Sequence, residues 1–484
     1  MKYEKYLNEI NLKADKITKV SDAIWESPEL AFSEYKSAKN LINLLKEEGF
    51  DVVAPAYNIP TAFTASFGKG SPIVGILGEF DALAALDQIA DLPEMKANNR
   101  GSSGHGCGHN LLGTGSAAAV IAIKKYLEDT KKSGTVIYYG CPGEEGGSGK
   151  AFMAREGAFS NLDFAITWHP SEINAISKDS SLANIQVLYK FHGISAHAAG
   201  CPELGRSALD ALELMNVGTN FLREHMSSDA RVHYAILNTG GISPNVVQNY
   251  AEVLYLIRAP KVSDVQELFA RVNKIAEGMS IATETRFEYE IIKMCANIIP
   301  NNVIEKELYN GFMDVKGPEY TEEELEYAKK FTETAEMGHG KTFQYYMDSL
   351  FQKENIEFLN VRKNSVMNDF VVPYEEIHVV KAQGGSSDVG DVSFQCPTSQ
   401  ITTATWAPDS GGHSWQIVAQ GKSSLAHKAL LYAGKVMAYT AINMLENPAI
   451  IEAAKKEFNM RISNDQYVPI PSSINPRTMD SFQS

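Results

Sequence analysis

Cysteine, excess positive charge and long apolar runs are all scarce in this chain of 484 residues. Its five cysteines, Cys107, Cys141, Cys201, Cys295 and Cys396, are odd in number and far apart. They lack the paired spacing of a disulfide framework, which fits a reducing compartment. Lysine and arginine total 44 against 59 acidic residues, a formal net charge of -15. With no basic stripe interleaved with aromatics, that balance argues against nucleic acid as a partner. Met1 to Lys19 is charged throughout and has no signal-peptide core, and apolar runs such as 116–123 fall short of a membrane span. The expectation is a cytoplasmic protein without a membrane segment. The length exceeds one ordinary core, so two domains, or one with an insert, are expected.

Ile10 to Phe50 reads as two amphipathic helices broken at Ser27-Pro28, with Leu41, Ile42, Leu44 and Leu45 at helical spacing and a stop at Gly49. Strand-like runs follow at 61–67 and 72–77, the second apolar throughout, as in a strand covered on both faces. A helix at 111–127 and strands at 135–139 and 164–167 come next. Each apolar strand is followed within a few residues by a ligand-type side chain: Asp81, then Glu144 and Glu145, then His169. In open parallel α/β sheets such residues converge in the crevice at the carboxyl ends of the strands. Taken singly, each is equally a surface-loop residue.

From Leu182 the pattern becomes strand 182–192, helix 206–225, strands 230–238 and 249–258, helix 263–279 and strand 284–294. This β-α-β-β-α-β order is the ferredoxin-like arrangement and reads as a separate domain inserted into the α/β one. The expected boundaries are 1–181 for the first part of the main domain, 182–297 for the insert and 298–484 for the second part. Within the last part, 302–365 reads as an acidic, helical surface elaboration. The chain then shows glycine-rich Gly384 to Asp388, a strand near 399–406, the loop Pro408 to His413 and a helix at 423–445.

The turn Gly104-His105-Gly106-Cys107-Gly108-His109 sets a thiol and an imidazole two positions apart, and its glycines let the backbone close around a cation. Alone, it serves equally for a structural zinc or for no metal. Cys107, His109, Glu145, His169 and His413 together make five donors of mixed softness, enough for two divalent ions that share a ligand. Glu144 stands beside Glu145. If that segment is extended, the two point opposite ways, one to metal and one to a water that it deprotonates as general base.

These residues sit in an ordered set of motifs: Ser27-Pro28-Glu29-Leu30, Glu79-Phe80-Asp81-Ala82-Leu83, His105-Gly106-Cys107-Gly108-His109, Pro142-Gly143-Glu144-Glu145-Gly146, Trp168-His169-Pro170, Gly193-Ile194-Ser195-Ala196-His197, Ser387-Asp388-Val389-Gly390-Asp391 and Gly412-His413-Ser414. The set spans nearly the whole chain and resembles the M20 family of metallopeptidases in its amidohydrolase branch. The resemblance implies a zinc-peptidase-like α/β catalytic domain, with the ferredoxin-like insert as a lid and dimerisation domain. It further implies two divalent ions, manganese or zinc, held by Cys107, His109, Glu145, His169 and His413. Glu144 is implied as the base and Asp81 as the residue that orients a ligand. His197, read as opening the helix of the insert, would reach the substrate carbonyl, often from a partner subunit. Asn245 and Arg258 fall where the family binds a substrate carboxylate, although a salt-bridged strand arginine reads the same way.

Two positions depart from the family pattern. Cys107 stands where the wider family carries a bridging carboxylate, which softens the site and leaves metal identity open. Asn110 replaces the aspartate usual after this branch's Cys-Gly-His. The implied activity is cleavage of an amide next to a free carboxylate, as in aminobenzoyl-glutamate, N-acyl amino acids or dipeptides. Competing readings are a dipeptidase of different specificity and a non-catalytic binding or regulatory subunit of the same fold. Partners would be a small-molecule substrate and either an identical chain, through the insert, or a related second subunit.

Overall fold

A computed structural model describes residues 2–98, 102–335, 340–376, 381–463 and 465–478. The chain enters through α1 (Glu4–Leu12), α2 (Ala14–Trp25) and α3 (Tyr35–Glu47). Three helices replace the two expected, because the backbone leaves helical geometry at Lys13 as well as near Ser27. Each turns a stripe inward at helical spacing: Leu7 and Ile10, Ile17 and Ile24, Leu41 and Leu45. Next come β1 (Asp51–Val53), β2 (Phe63–Lys69), β3 (Ile73–Glu79), α4 (His109–Thr130) and β4 (Gly134–Cys141). Two short helical pieces, α5 (Glu144–Gly147) and α6 (Gly149–Arg155), lead to β5 (Phe164–Ser171) and β6 (Ala175–Ser177).

The second unit comprises β7 (Ala183–His192), α7 (Ala208–Leu222), β8 (Arg231–Asn238), β9 (Tyr250–Ala259), α8 (Val262–Ala282) and β10 (Arg286–Cys295). Its antiparallel sheet runs β10-β7-β9-β8. The six elements appear in the order that the sequence pattern predicts. Along β9 the pleat alternates: Ala251, Val253, Tyr255, Ile257 and Ala259 are buried, and the residues between them, Arg258 included, are half-buried on the other face. Helices α7 and α8 pack together and against β7 and β9.

After it come α9 (Asn302–Asp314), α10 (Glu322–Thr332), α11 (Lys341–Asp348) and α12 (Lys353–Asn360). Residues 336–339 of the expected 302–365 elaboration lie outside the described residues. The elaboration is not all surface. Helix α9 buries Ile304, Leu308 and Phe312 in the main core, so the added layer begins only after Asp314. The chain closes with α13 (Val389–Ser393), β11 (Thr398–Ala404), α14 (Trp415–Gln420), α15 (Ser424–Glu446) and α16 (Pro448–Ile462).

The larger sheet has the order β1-β2-β4-β3-β5-β11-β6. Its four middle strands, β4, β3, β5 and β11, are parallel, and the outer ones pair antiparallel. Helices α4 and α15 pack on each other, α4 against β3 and β5 and α15 against β5 and β11. The middle strands are therefore largely buried; β3 is nearly all apolar, as the run at 72–77 predicts, whereas β11 buries threonines and a serine. Their carboxyl ends share one side of the sheet, the place where an open α/β sheet gathers a site.

Candidate active site

Gly108, with φ 72°, turns the chain at the start of α4, so that His109 is the first helical residue and Cys107 precedes the turn. A side chain there would be strained, which explains the glycine. His109 is fully buried. Its Nδ1 lies 2.8 Å from Asp81 Oδ1, just beyond β3, and donation from Nδ1–H to that carboxylate turns Nε2 towards the other donors. The other oxygen of Asp81 accepts a hydrogen bond of 2.9 Å from the backbone N–H of Glu145. One carboxylate thus ties the end of β3 to both α4 and α5.

Cys107 Sγ lies 3.3 Å from His169 Nε2, and Glu145 Oε1 lies 3.3 Å from His413 Nε2 and 4.0 Å from His109 Nε2. His169 falls inside β5, not after it, with Nδ1 2.7 Å from the Pro170 carbonyl. Two donor triads result, Cys107 with His109 and His169, and Cys107 with Glu145 and His413, the atoms of each within 4.8 Å of one another. Cys107 is common to both. All five donors expected from the sequence are therefore brought together.

The geometry of the glutamate pair differs from expectation. Glu144 and Glu145 begin a helical turn, because Gly143 at φ 68° starts α5, and so they are not alternating residues of an extended segment. In a helix neighbouring side chains diverge by about 100° rather than 180°. Glu145 faces Cys107 and His413, while a carboxylate oxygen of Glu144 groups with His109 and Glu79.

Three residues given no separate role by the sequence reading form the floor. Glu79, the last residue of β3, has Oε2 3.3 Å from His109 Nε2 and Oε1 2.6 Å from Lys150 Nζ. Lys150, fully buried on α6, also meets Asp388 Oδ1 at 2.6 Å. A buried lysine without a partner is strongly disfavoured, and two carboxylates hold this one charged. Glu79 and Asp388 lie inside the ordered motifs; Lys150 follows the glutamate turn and carries no sequence signal beyond that.

Charge and burial tune these groups. Loss of solvent around the Glu144 carboxyl pushes it well above the usual range, and the nearby carboxylates of Glu79, Glu145 and Asp388 push it further. Burial also acts upward on Glu145, but the close approach of His413 and the charge of His109 outweigh it and bring it down to about 2. His169 is lowered by burial and by the charge of His109. Burial, with the charge of Glu145, holds the Cys107 thiol far above its ordinary value, so a thiolate there requires a cation.

The residues fit a pair of divalent cations. His109 Nε2 and Glu145 Oε1 are buried and make no well-directed hydrogen bond among the described residues. Such atoms are costly in a protein interior unless a cation satisfies them. Thiolate, imidazole and carboxylate together suit zinc or manganese.

Four of the donors, Cys107, Glu145, His169 and His413, open into a cavity of about 560 Å³ that Glu144, Arg258, Lys293 and Asp388 also line. Arg258 reaches it from β9. Asn245 and His197 are exposed and line no part of it. His197 does not open a helix: it lies in a turn, well before the Ser207 cap of α7, and its Nδ1 accepts from the N–H groups of Ala199 and Gly200. It bridges to Val246, next to Asn245, so these two share one loop face away from the cavity of their own chain. Asn110, in the first turn of α4, is buried and donates to Ser21 Oγ and the Gly421 carbonyl, a role in packing.

The profile of Peptidase family M20/M25/M40 matches residues 75–302. The chain is 45% identical over 468 residues to one of the subunits of p-aminobenzoyl-glutamate hydrolase from Escherichia coli (strain K12), covering 96% of this chain and 97% of that one. It belongs to the peptidase M20 family. The Xaa-Arg dipeptidase of Mus musculus is 28% identical over 470 residues, 94% of this chain and 92% of that one. Two solved M20-type folds superpose. The aminobenzoyl-glutamate utilization protein of Klebsiella pneumoniae has a TM-score of 0.57 at 16% identity, over 89% of this chain and 98% of that one. A dinuclear metal binding peptidase of the M20 family from Bacillus subtilis has a TM-score of 0.55 at 15% identity, over 90% and 99%. This chain is accordingly a hydrolase of the M20 peptidase family. Among the described residues no helix is long and apolar enough to cross a membrane.

Proposed function

We propose that this M20 hydrolase cleaves an amide next to a free carboxylate, with Glu144 as general base over a pair of divalent cations. The observation that carries the reading is the desolvated Glu144 carboxyl, one residue from Glu145 at the edge of two donor triads that share Cys107. Cys107, His109 and His169 would hold one ion, and Cys107, Glu145 and His413 the other. When bound, the ions polarise the scissile carbonyl and make water a stronger acid. Glu144 accepts the water proton as general base. Once protonated, it returns that proton to the departing amine nitrogen. Asp81 keeps the His109 ring in its working tautomer, and Lys150 offsets the charge of Glu79 and Asp388 beneath the base. Arg258 anchors the substrate carboxylate.

The preferred substrate in this reading is an aminobenzoyl-glutamate-type conjugate, supported by 45% identity to an enzyme named for that reaction. A dipeptidase activity is the second reading, supported by the 28% identity to an Xaa-Arg dipeptidase. The insert acts as a lid and as the surface for a second copy. Edge strand β8 exposes Ile236 and Leu237, and α7 exposes Leu214, Val217 and Phe221 at helical spacing. His197 and Asn245 would then serve the partner's cavity. The test is to load purified protein with manganese or zinc and measure product release from aminobenzoyl-glutamate, N-acyl amino acids and dipeptides. No hydrolysis of any of them would sink the proposal.

A further inference from the structure

The catalytic cavity has two cations at the foot of the insert, and the proposed reaction gives a role to only one of them, Arg258. Arg258 on β9 and Lys293 on β10 are the only arginine and lysine among its described lining residues. They flank β7: Arg258 pairs with Asn184, and Lys293 pairs with Gln186. Two strand spacings and a two-residue step separate their Cα atoms by roughly 12 Å. Both are long side chains that converge on the same cavity. Among the described residues neither forms an ion pair. Arg258 Nη1 donates to the Gly384 carbonyl at 3.4 Å and Lys293 Nζ to the Glu145 carbonyl at 3.3 Å, both neutral acceptors. Of the acidic lining residues, Asp388 is engaged by Lys150, Glu145 by His413 and Glu172 by the N–H of Asp409, which leaves Glu144, the proposed base.

Unsatisfied polar atoms surround the arginine. Arg258 Nε, Asn184 Oδ1 and Ser386 Oγ are buried and unpartnered, and all three residues line the cavity. Asn184 is only 3% exposed, and the O and N of such an amide exchange places by a simple flip. Together they form a fork with flanking donors, which suits a planar carboxylate in fixed position. Lys293 is a point charge on a flexible stem, suited to a second carboxylate whose distance from the first varies.

We propose that Lys293 reads a side-chain carboxylate while Arg258 reads the α-carboxylate, so that the enzyme selects N-acyl derivatives of dicarboxylic amino acids. This rests on the amide-hydrolase reading above, but its test does not depend on turnover. Calorimetric titration of the manganese-loaded Glu144→Gln variant compares N-benzoyl-glutamate with N-benzoyl-glutamine, which matches it in shape and lacks the second charge. The glutamate conjugate should bind about ten- to a hundredfold more tightly, as for one charge-assisted hydrogen bond. Adding Lys293→Met should bring the two ligands to the same Kd, and Lys293→Arg should restore most of the difference. Adding Arg258→Met should weaken both. Equal Kd values in Glu144→Gln alone, or a Lys293→Met loss shared equally by both ligands, would overturn the assignment. A clear preference in binding with no hydrolysis of benzoyl-glutamate by the unmutated enzyme would instead sink the hydrolase reading and leave the subsite standing.

Discussion

Cys107 belongs to both triads of the expected donors, whereas Glu144 groups only with Glu79 and His109, and this separates two kinds of mutant. Glu144→Gln should keep the fold and the bound metal but lose about a hundredfold to ten-thousandfold in kcat, since an amide cannot accept the water proton. Retention of more than about a tenth of the activity would remove Glu144 from the role of base. Cys107→Ser and His413→Ala should each lower bound metal by elemental analysis after dialysis. Cys107→Ser should have the larger effect, because it touches both triads. Unchanged stoichiometry in both variants would refute the two-ion assignment.

At the scale of elements, the glutamate turn depends on a backbone approach as much as on the glutamates. A Cβ at Gly149 would lie 1.8 Å from the Pro142 carbonyl oxygen, so Gly149→Ala must push α6 away from β4. We expect a loss of more than about 2 kcal/mol in urea unfolding and a displaced Glu144, seen as lower kcat in whatever protein folds. Helix α9 supplies a pH test. Burial raises the Glu305 carboxyl from the ordinary 4.5 to about 8, although Tyr374 donates to it at 3.0 Å. The folded chain keeps this proton where the unfolded chain has released it. The contribution to stability is therefore full below about pH 4.5 and is lost as pH rises through 8, by up to about 1.4 kcal/mol per unit. Glu305→Gln should remove that fall when unfolding is compared at pH 5, 7 and 9.

The same scale shows what was legible in the chain. The strands and helices at 182–294 were readable because pleat and helix periodicities are local signals, and Glu145 and His169 stood out because they follow apolar runs. The turn at Glu144 was not, since Gly143 permits both an extended and a left-handed backbone and only packing chooses. Lys150 was invisible: its two partners are brought under it by strands distant in sequence. The depth of α9 depends likewise on α15 and α16, far downstream.

At the scale of the molecule, the exposed β8 edge and the α7 stripe make an oligomer the expected state in light scattering. Phe221→Glu should shift it towards monomer. If His197 serves a partner's cavity, His197→Ala and Glu144→Gln chains should each be nearly inactive, yet regain activity when mixed. Half of the random dimers would be mixed, each with one intact site, so about a quarter of full activity is expected. A mixture no more active than its components would place the His197 function within its own chain.

The packing of α15 on α4 also sets a timetable for synthesis. The apolar side of α4 emerges early, but the helix that covers it is made roughly 300 residues later. At about 5–20 residues per second that is a wait of roughly 15–60 s on the ribosome. The smaller sheet is contiguous in the chain, from Ala183 to Cys295, and can close during this interval. Nascent chains stalled before Ser424 should therefore hold a protease-resistant insert beside an open, chaperone-dependent first segment.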